Sequence, residues 1–208
     1  MRDTRSRIVA EATRQLPRVG YAAFTVAAVR DALRLSSGSM FHAFPSKAAL
    51  AAAVYVEGMT DYQHAATEAL EAASDPADAI RAWVAVHLGW IEAHRELARY
   101  LFSTLPDEVA VAASAPLAER NRDFYAALTR LFTAAHAAGL AGHLPRPVAQ
   151  TLCIGPAHEY GRLWARGAAE VAPSSLVTMF QGAALAALAS TVDVTRLSRA
   201  RRRKESRA

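Results

Sequence analysis

The sequence predicts an all-α protein of about nine helices. Alanine, which has the highest intrinsic helix propensity, occupies 49 of the 208 positions, whereas glycine and proline occupy only 10 and 9. No alternating pattern that would predict a strand is present, and no internal repeat occurs. Hydrophobic residues make up 52% of the chain and charged residues 21%, which favours a buried core over wholesale disorder.

The first predicted helix carries apolar residues at helical spacing from Ile8 to Leu16, and Gly20 ends it. A second, short helix follows Thr25, because threonine is favourable at an N-cap. Its predicted buried face consists of Val26, Val29, Ala32 and Leu33.

The third predicted helix is only about two turns long. Ser36 caps it, and Pro45 ends it because the residue before a proline is disfavoured in the α conformation. Two short helices of this kind, the second lined with small polar side chains, suit insertion into a DNA major groove about 12 Å wide. Exposed amides at the start of a helix bind phosphate.

Further helices are predicted over the rest of the chain. Ser46 caps a helix that starts at Lys47 and runs to about Ala73, and the Asp75-Pro76 pair opens another that runs to about His94. The remaining predicted helices span Leu97–Ser103, Glu108–Ala113, Ser114–Gly139, Pro147–Arg166 and Ser174–Asp193.

Charge is divided unevenly along the chain. Residues 1–47 carry eight bases and three acids, a net charge of +5, while residues 48–195 carry nine bases and fifteen acids, a net charge of −6. Residues 196–208 carry seven bases and one acid, a net charge of +6, and are expected to be a disordered tail. A basic head at 1–47 on an acidic body at 48–195 is expected if only the head meets a polyanion, although a merely solvated basic surface is the alternative.

Other features limit the class of protein. Cys153 is the single cysteine, which excludes an internal disulfide framework and a zinc site built on several cysteines. No apolar run reaches the roughly 20 residues of a membrane-spanning helix, and the amino terminus lacks the apolar region of a secretory signal. We therefore expect a cytoplasmic protein with no membrane partner.

The amino-terminal segment also contains a set of residues at a characteristic spacing. They are Gly20-Tyr21, Thr25-Val26, Val29, Ala32, Leu35-Ser36, Gly38-Ser39-Met40-Phe41, Phe44 and Ser46-Lys47-Ala48-Ala49-Leu50. This set resembles the DNA-binding domain of tetracycline-repressor-like (TetR) transcriptional regulators. The helical residues that follow fit the length of that family's ligand-binding and dimerisation domain. Phe41 stands where the family usually has tyrosine, Ala43 where it has histidine, and Pro17 where it has an apolar residue.

The resemblance implies a helix-turn-helix domain in which Thr25 contacts backbone phosphate and Ser37, Ser39 and His42 face the groove. For Phe41, core packing is favoured over contact with a thymine methyl group. Arg34, in the turn, is expected either to contact phosphate or to be solvated. The full predicted set of DNA-binding residues is Thr25, Arg34, Ser36, Ser37, Gly38, Ser39, Phe41, His42 and Lys47.

The body contains a candidate ligand site. Spacings of four, three and four place two indoles and two imidazoles on one face of the predicted fifth helix. Such a face is either core or the lining of a largely apolar pocket with a few polar anchors for an aromatic or lipophilic small molecule. The predicted lining is Trp83, His87, Trp90, His94, Tyr100, Phe102, Phe124, Leu128 and His158.

No catalytic or metal-binding motif is apparent in the sequence. His158 and Glu159 are adjacent and therefore diverge by about 100° on a helix, which disfavours an acid/base pair. His87 and His94 are seven residues apart and lack the spacing of a zinc-protease helix. We expect no cofactor and no metal. An all-α enzyme that uses His158 or His87 as a base is the alternative.

The last two predicted helices are rich in small residues, which allow helices to approach closely. Helix pairs of this kind suit a two-fold interface, although packing within one chain is possible. The predicted interface residues are Gly161, Trp164, Phe180, Ala183 and Ala187. The complete prediction is a homodimeric repressor that a small-molecule effector releases from a palindromic operator; a ligand-independent DNA-binding regulator remains an alternative.

Overall fold

The computed structural model describes residues 4–142 and 144–189. Within these ranges the chain forms α-helices and no strands, which confirms the predicted fold class. None of these helices combines the length and the apolar character that crossing a bilayer requires. The basic tail and the end of the last predicted helix, up to Asp193, lie outside the described residues.

The helices follow one another with short connections. They are α1 (Thr4–Ala23), α2 (Val26–Ala32), α3 (Ser37–Ala43), α4 (Lys47–Ala72), α5 (Pro76–Ala93), α6 (Arg95–Leu101), α7 (Asp107–Arg120), α8 (Arg122–Ala137), α9 (Arg146–Ala165) and α10 (Val177–Ala189), with a 3-10 helix at Pro173–Leu176 before α10.

The described chain divides into two compact units. The first unit consists of residues 4–64 and 93–122, and the second of residues 65–92 and 123–189. Helix α4 contributes to both. The functional boundary predicted at residue 47 concerns the part of the chain that binds DNA, and it stays a prediction.

Side chains cap the starts of several helices as the sequence predicts. Thr25, Ser46 and Asp75 each accept a hydrogen bond from the backbone amide three residues later, at 3.2, 3.0 and 2.8 Å. Each cap satisfies an amide that has no partner inside the helix, an effect worth about 1 kcal/mol. The starts of α2, α4 and α5 are therefore determined locally.

Gly20 interrupts the first helix as predicted. Its φ of 76° and ψ of 161° are not helical, and only a short further turn to Ala23 follows this kink. The predicted buried face of α2 is partly wrong. Val29 is buried, Val26 and Leu33 are half-buried, and Ala32 is exposed.

The predicted helix start at Ser114–Pro116 is also wrong. Helix α7 runs through Pro116, and the break falls at Asn121. Proline inside a helix costs about 3 kcal/mol or more, because it removes one hydrogen bond and crowds the preceding turn. Val109 and Ala113, in the preceding turns of the same helix, are buried, and their packing offsets this cost.

Close packing within the second unit explains one glycine of α9. A Cβ atom built on Gly161 would lie 2.4 Å from Cδ1 of Ile91, which is fully buried on α5. Glycine at this position therefore permits the contact between the two helices. A Cβ atom on Gly182, in α10, would meet nothing within 4 Å.

We predict opposite effects of alanine at these two glycines. Gly161→Ala lowers the free energy of unfolding by about 1 to 3 kcal/mol because it overpacks the core. Gly182→Ala raises it by up to about 1 kcal/mol through helix propensity. Urea denaturation checks both values. Adding Ile91→Val, which removes the clashing methyl group, should restore part of the loss caused by Gly161→Ala, and equal losses with and without that change would contradict the packing explanation.

Candidate functional site

Helices α2 and α3 form a tight helix-turn-helix. Ser36 accepts a hydrogen bond from the Ser39 amide at 3.1 Å, which begins α3 as predicted. In the turn, Arg34 has φ 54°, and the Leu35 amide donates to the Arg30 carbonyl at 3.0 Å. Arg34 is exposed. The turn thus reverses the chain and places the start of α3 at the surface.

One face of α3 is buried and the other is exposed. Met40 and Phe44 lie in the core, with exposed fractions of 0 and 1%. Phe41 is 57% exposed, so core packing was the wrong interpretation of this residue. Met40, its neighbour, takes the core position because consecutive residues of a helix point about 100° apart. The remaining exposed residues of α3 include predicted DNA-binding positions: Ser37, Gly38, Ser39 and His42.

Two arginines hold α3 at its two ends. Arg30, on α2, donates from Nη1 to Oγ of Ser37 at 3.2 Å. Arg5, on α1, donates from Nη1 to the Ala43 carbonyl at 2.7 Å, and its guanidinium carbon lies 4.1 Å from the centre of the Phe44 ring. Arg30 also forms an ion pair with Asp31 at 2.6 Å. Sequence reasoning missed both arginines, since no local pattern links either residue to α3.

Lys47 lies at the start of α4 against α1. Its Nζ lies 4.4 Å from the centre of the Tyr21 ring and donates to the Ala22 carbonyl at 3.2 Å. The Tyr21 hydroxyl in turn donates to the Glu108 carboxylate of α7. Burial, reinforced by this carboxylate, raises the pKa of Tyr21 to about 12. These contacts fix the position of the lysine, which is half-buried, rather than leaving its side chain extended in solvent.

The caps occupy part of the polar surface predicted to meet DNA. The Thr25 oxygen accepts from the Ala28 amide, and the Ser36 and Ser39 hydroxyl oxygens lie 2.9 Å apart. Each hydroxyl retains further hydrogen-bonding capacity, because a hydroxyl combines one donor with two acceptor positions. The same residues can therefore cap a helix and contact a phosphate.

Some of the predicted ligand-site residues come together in the core of the second unit. Trp83 packs edge-on against Phe124, with ring centres 6.2 Å apart, and both are buried. The rings of His87 and His158 lie 5.4 Å apart. Trp90 and Leu128 are buried in the same unit. The shared helical face of Trp83, His87 and Trp90 is thus core.

Three other predicted ligand-site residues belong to the first unit. Tyr100 donates to the Ala51 carbonyl at 3.0 Å, and Phe102 packs edge-on against Tyr62 at 6.3 Å. His94 is exposed at the N-cap of α6. That these residues join Trp83 in one pocket stays a prediction. The helical pattern continued through His94, but the chain leaves α5 at Ala93.

The second unit contains a cavity with a different lining. It measures about 260 Å³ and lies among the end of α4, the start of α5 and α8. Glu71 and Arg130 form an ion pair at 2.6 Å beside it. The apolar lining consists of Leu70, Ala73, Ala79, Ala127, Leu131 and Ala134. Its small side chains gave no recognisable signal in the sequence, because alanine is common throughout the chain.

The predicted interface residues on α9 and α10 differ in exposure. Ala183 is exposed, while Trp164, Phe180 and Ala187 are half-buried. Phe180 packs against Tyr160, with ring centres 5.5 Å apart. Gly161 lies beneath Ile91, so its expected place at an interface does not fit the structure.

A protein-family model matches the amino-terminal part of the chain. Residues 8–54 match the family model described as bacterial regulatory proteins, tetR family. This range contains α2, α3 and the turn between them. No curated protein matches the chain in sequence.

Solved structures resemble the chain over most of its length. The fatty acid degradation regulator FadR from Bacillus halodurans has a TM-score of 0.74 and 17% identity, over 89% of this chain and 96% of its own. FadR from Bacillus subtilis, solved in complex with stearoyl-CoA, has a TM-score of 0.72 and 13% identity, over 88% and 98%. The ketosteroid transcriptional regulator KstR2 of Mycobacterium tuberculosis has a TM-score of 0.65 and 15% identity, over 91% and 97%. At these identities the likeness shows a shared fold.

The buried histidine of α5 predicts a pH dependence of stability. Burial, and then the charge of His158, lowers the pKa of His87 to about 3. An unfolded histidine binds its proton near pH 6.5, so the unfolded state binds more protons between these values. Stability should therefore fall as the pH drops below about 6.5, by up to about 1.4 kcal/mol per pH unit from this group, until about pH 3.

Urea denaturation between pH 7.5 and 4.5 measures this effect. His87→Gln should flatten the profile, whereas His64→Gln, at an exposed position on α4, should leave its slope unchanged. Identical slopes for the original protein and His87→Gln would exclude a neutral buried imidazole.

Proposed function

Since residues 8–54 match the tetR family model, we propose that the chain is a TetR-like transcriptional regulator and that α3 reads base edges in the major groove of a specific operator. The observation that carries this proposal is the exposed face of α3, with its small polar residues, Phe41 and His42, held between Arg30 and Arg5. Small side chains let the backbone approach the groove, and the arginines provide charge near the phosphates.

Specific roles follow from position. His42 and Phe41 contact bases, the first through hydrogen bonds and the second through a thymine methyl group. Thr25, Ser36 and Lys47 contact phosphates, and Arg34 does so from the turn. In this proposal the protein is a repressor, which blocks transcription while it is bound to its operator. It acts in the cytoplasm, where bacterial DNA is transcribed.

We also propose a homodimer formed through α9 and α10. Met179 is 58% exposed, and Ala183 and Ala186 follow it at helical spacing on the same face of α10. Leu163 of α9 is also exposed. A second copy would cover these apolar positions. Two copies related by two-fold symmetry also present two α3 helices to paired half-sites about 34–36 Å apart, or a multiple of that distance.

Selection of bound fragments from genomic DNA tests the DNA-binding proposal. We expect enrichment of a palindromic site over scrambled duplex at moderate salt.

Lys47→Ala should weaken binding to all duplexes and make the salt dependence shallower by about one unit. His42→Ala should reduce discrimination at one base pair by about 1 to 3 kcal/mol with little effect on the salt slope. Absence of any preferred site would refute the proposed reading of DNA, and a preferred site without two-fold symmetry would refute the dimer.

The proposed effector is a lipophilic small molecule. One of the structural relatives is named as a fatty acid degradation regulator, another as a ketosteroid transcriptional regulator, and a third was solved with stearoyl-CoA. In this chain the cavity near α8 offers an apolar lining with Glu71 and Arg130 as polar anchors. The proposed dimer has two conformations, and only one of them places both α3 helices on the paired half-sites. An effector that binds the other conformation more tightly lowers DNA affinity by the ratio of its affinities for the two conformations.

Operator binding measured with and without long-chain acyl-CoA or a steroid tests this effector class. We expect at least one of them to release the DNA. Ala134→Leu, which narrows the cavity, should abolish the release while leaving operator affinity intact. Ala126→Leu, an exposed change on the same helix outside the cavity lining, serves as the control. Release that persists with Ala134→Leu would place the effector elsewhere.

A further inference from the structure

The first unit contains a cleft that the proposed function does not use. It measures about 370 Å³ and lies between α4, α7 and the end of α3. Phe44, the C-cap of α3, lines one side of it. The floor is apolar and built from small side chains: Ala49, Ala52, Ala53, Val56 and Ala112. Positions 49, 52, 53 and 56 recur at helical spacing, so they form one continuous strip of α4.

Four charged residues line the cleft, and two of them are already engaged. Arg5 donates to the Ala43 carbonyl and covers the Phe44 ring. Glu119 forms an ion pair with Arg122 at 3.7 Å. Their charges are therefore partly satisfied within the unit.

The other two charged residues are Glu57 of α4 and Arg120 of α7. Neither makes a side-chain hydrogen bond or a direct ion pair with any residue in 4–142 or 144–189. They still influence each other, because the positive charge of Arg120, followed by that of Arg5, opposes a rise in the pKa of Glu57. Partial burial is the larger influence and raises the pKa of this carboxyl above its ordinary value. The cleft is thus lined by an exposed carboxylate and an exposed guanidinium that do not pair with each other.

We propose that this cleft binds a small zwitterion of the amino-acid type with an apolar side chain. The ligand ammonium group pairs with Glu57, the ligand carboxylate pairs with Arg120, and the side chain lies on the alanine strip. Guanidinium groups match carboxylates in geometry and form charge-assisted hydrogen bonds with them. A cationic group close to a carboxylate favours the ionised form of that carboxylate.

The charge of the lining favours a zwitterion over a singly charged ligand. A simple carboxylic acid would satisfy Arg120 and bring a second negative charge towards Glu57. A simple amine would satisfy Glu57 and approach both Arg120 and Arg5. Only a ligand that carries both charges gives Glu57 and Arg120 a partner without adding net charge to the cleft.

NMR titration of the full chain with three related compounds tests the proposal. L-leucine carries both charges, 4-methylpentanoate is leucine without the ammonium group, and 3-methylbutylamine is leucine without the carboxylate. We expect leucine to shift the amide signals of α4 and α7 residues around the cleft in a saturable way, and to bind at least about tenfold more tightly than the other two. Binding is measured without DNA, so the result is independent of the proposed regulatory function.

Variants locate the site. Glu57→Gln and Arg120→Gln should each weaken leucine binding at least about tenfold, and Ala53→Leu should block it by filling the floor. Glu68→Gln on α4 and Arg14→Gln on α1 remove the same charges outside the cleft lining and should bind leucine normally. Thermal melting shows that each variant is folded. No saturable shift with leucine, equal binding of 4-methylpentanoate or of the amine, or unchanged binding by both charge variants would overturn the proposal.

Discussion

Helix α3 is too short to be stable alone. Helix α3 has seven residues, whereas isolated helices shorter than about 12 to 15 residues are marginal in water. Its position therefore depends on contacts from outside: the Ser36 cap, the burial of Met40, and the hydrogen bonds from Arg30 and Arg5. The proposed recognition of DNA sequence depends on these contacts, because side chains can distinguish bases only if the helix that carries them is held in a fixed position.

The same arrangement explains which side chains α3 presents. Since α1 and α2 provide the arginines, the exposed face of α3 itself needs no long basic residue, and serine and glycine suffice there. Phe41 supplies an apolar surface, and His42 supplies ring nitrogens. In the proposed complex, neighbouring helices position α3 and attract the phosphates, while α3 itself makes the contacts that depend on DNA sequence.

In the second unit, the aromatic residues of α5 are buried against other aromatic side chains. Trp83 contacts Phe124 edge-on, and His87 lies beside His158 with its pKa lowered by burial. These residues resemble a pocket lining in sequence because core and pocket both favour aromatic side chains. Alanines instead line much of the cavity beside α8 and of the cleft between α4 and α7, and alanine gives no distinctive signal in the sequence.

Sequence alone determined the features that depend on neighbouring residues. The all-α class followed from alanine content, and the starts of α2, α3, α4 and α5 followed from capping residues at Thr25, Ser36, Ser46 and Asp75, because a cap acts within three positions. The helix-turn-helix was recognisable for the same reason. Tertiary structure decided what depends on distant segments: the exposure of Phe41, the continuation of α7 through Pro116, and the arginines that hold α3. Arg5 and Ala43 are 38 residues apart, and no periodicity in the sequence encodes such a contact.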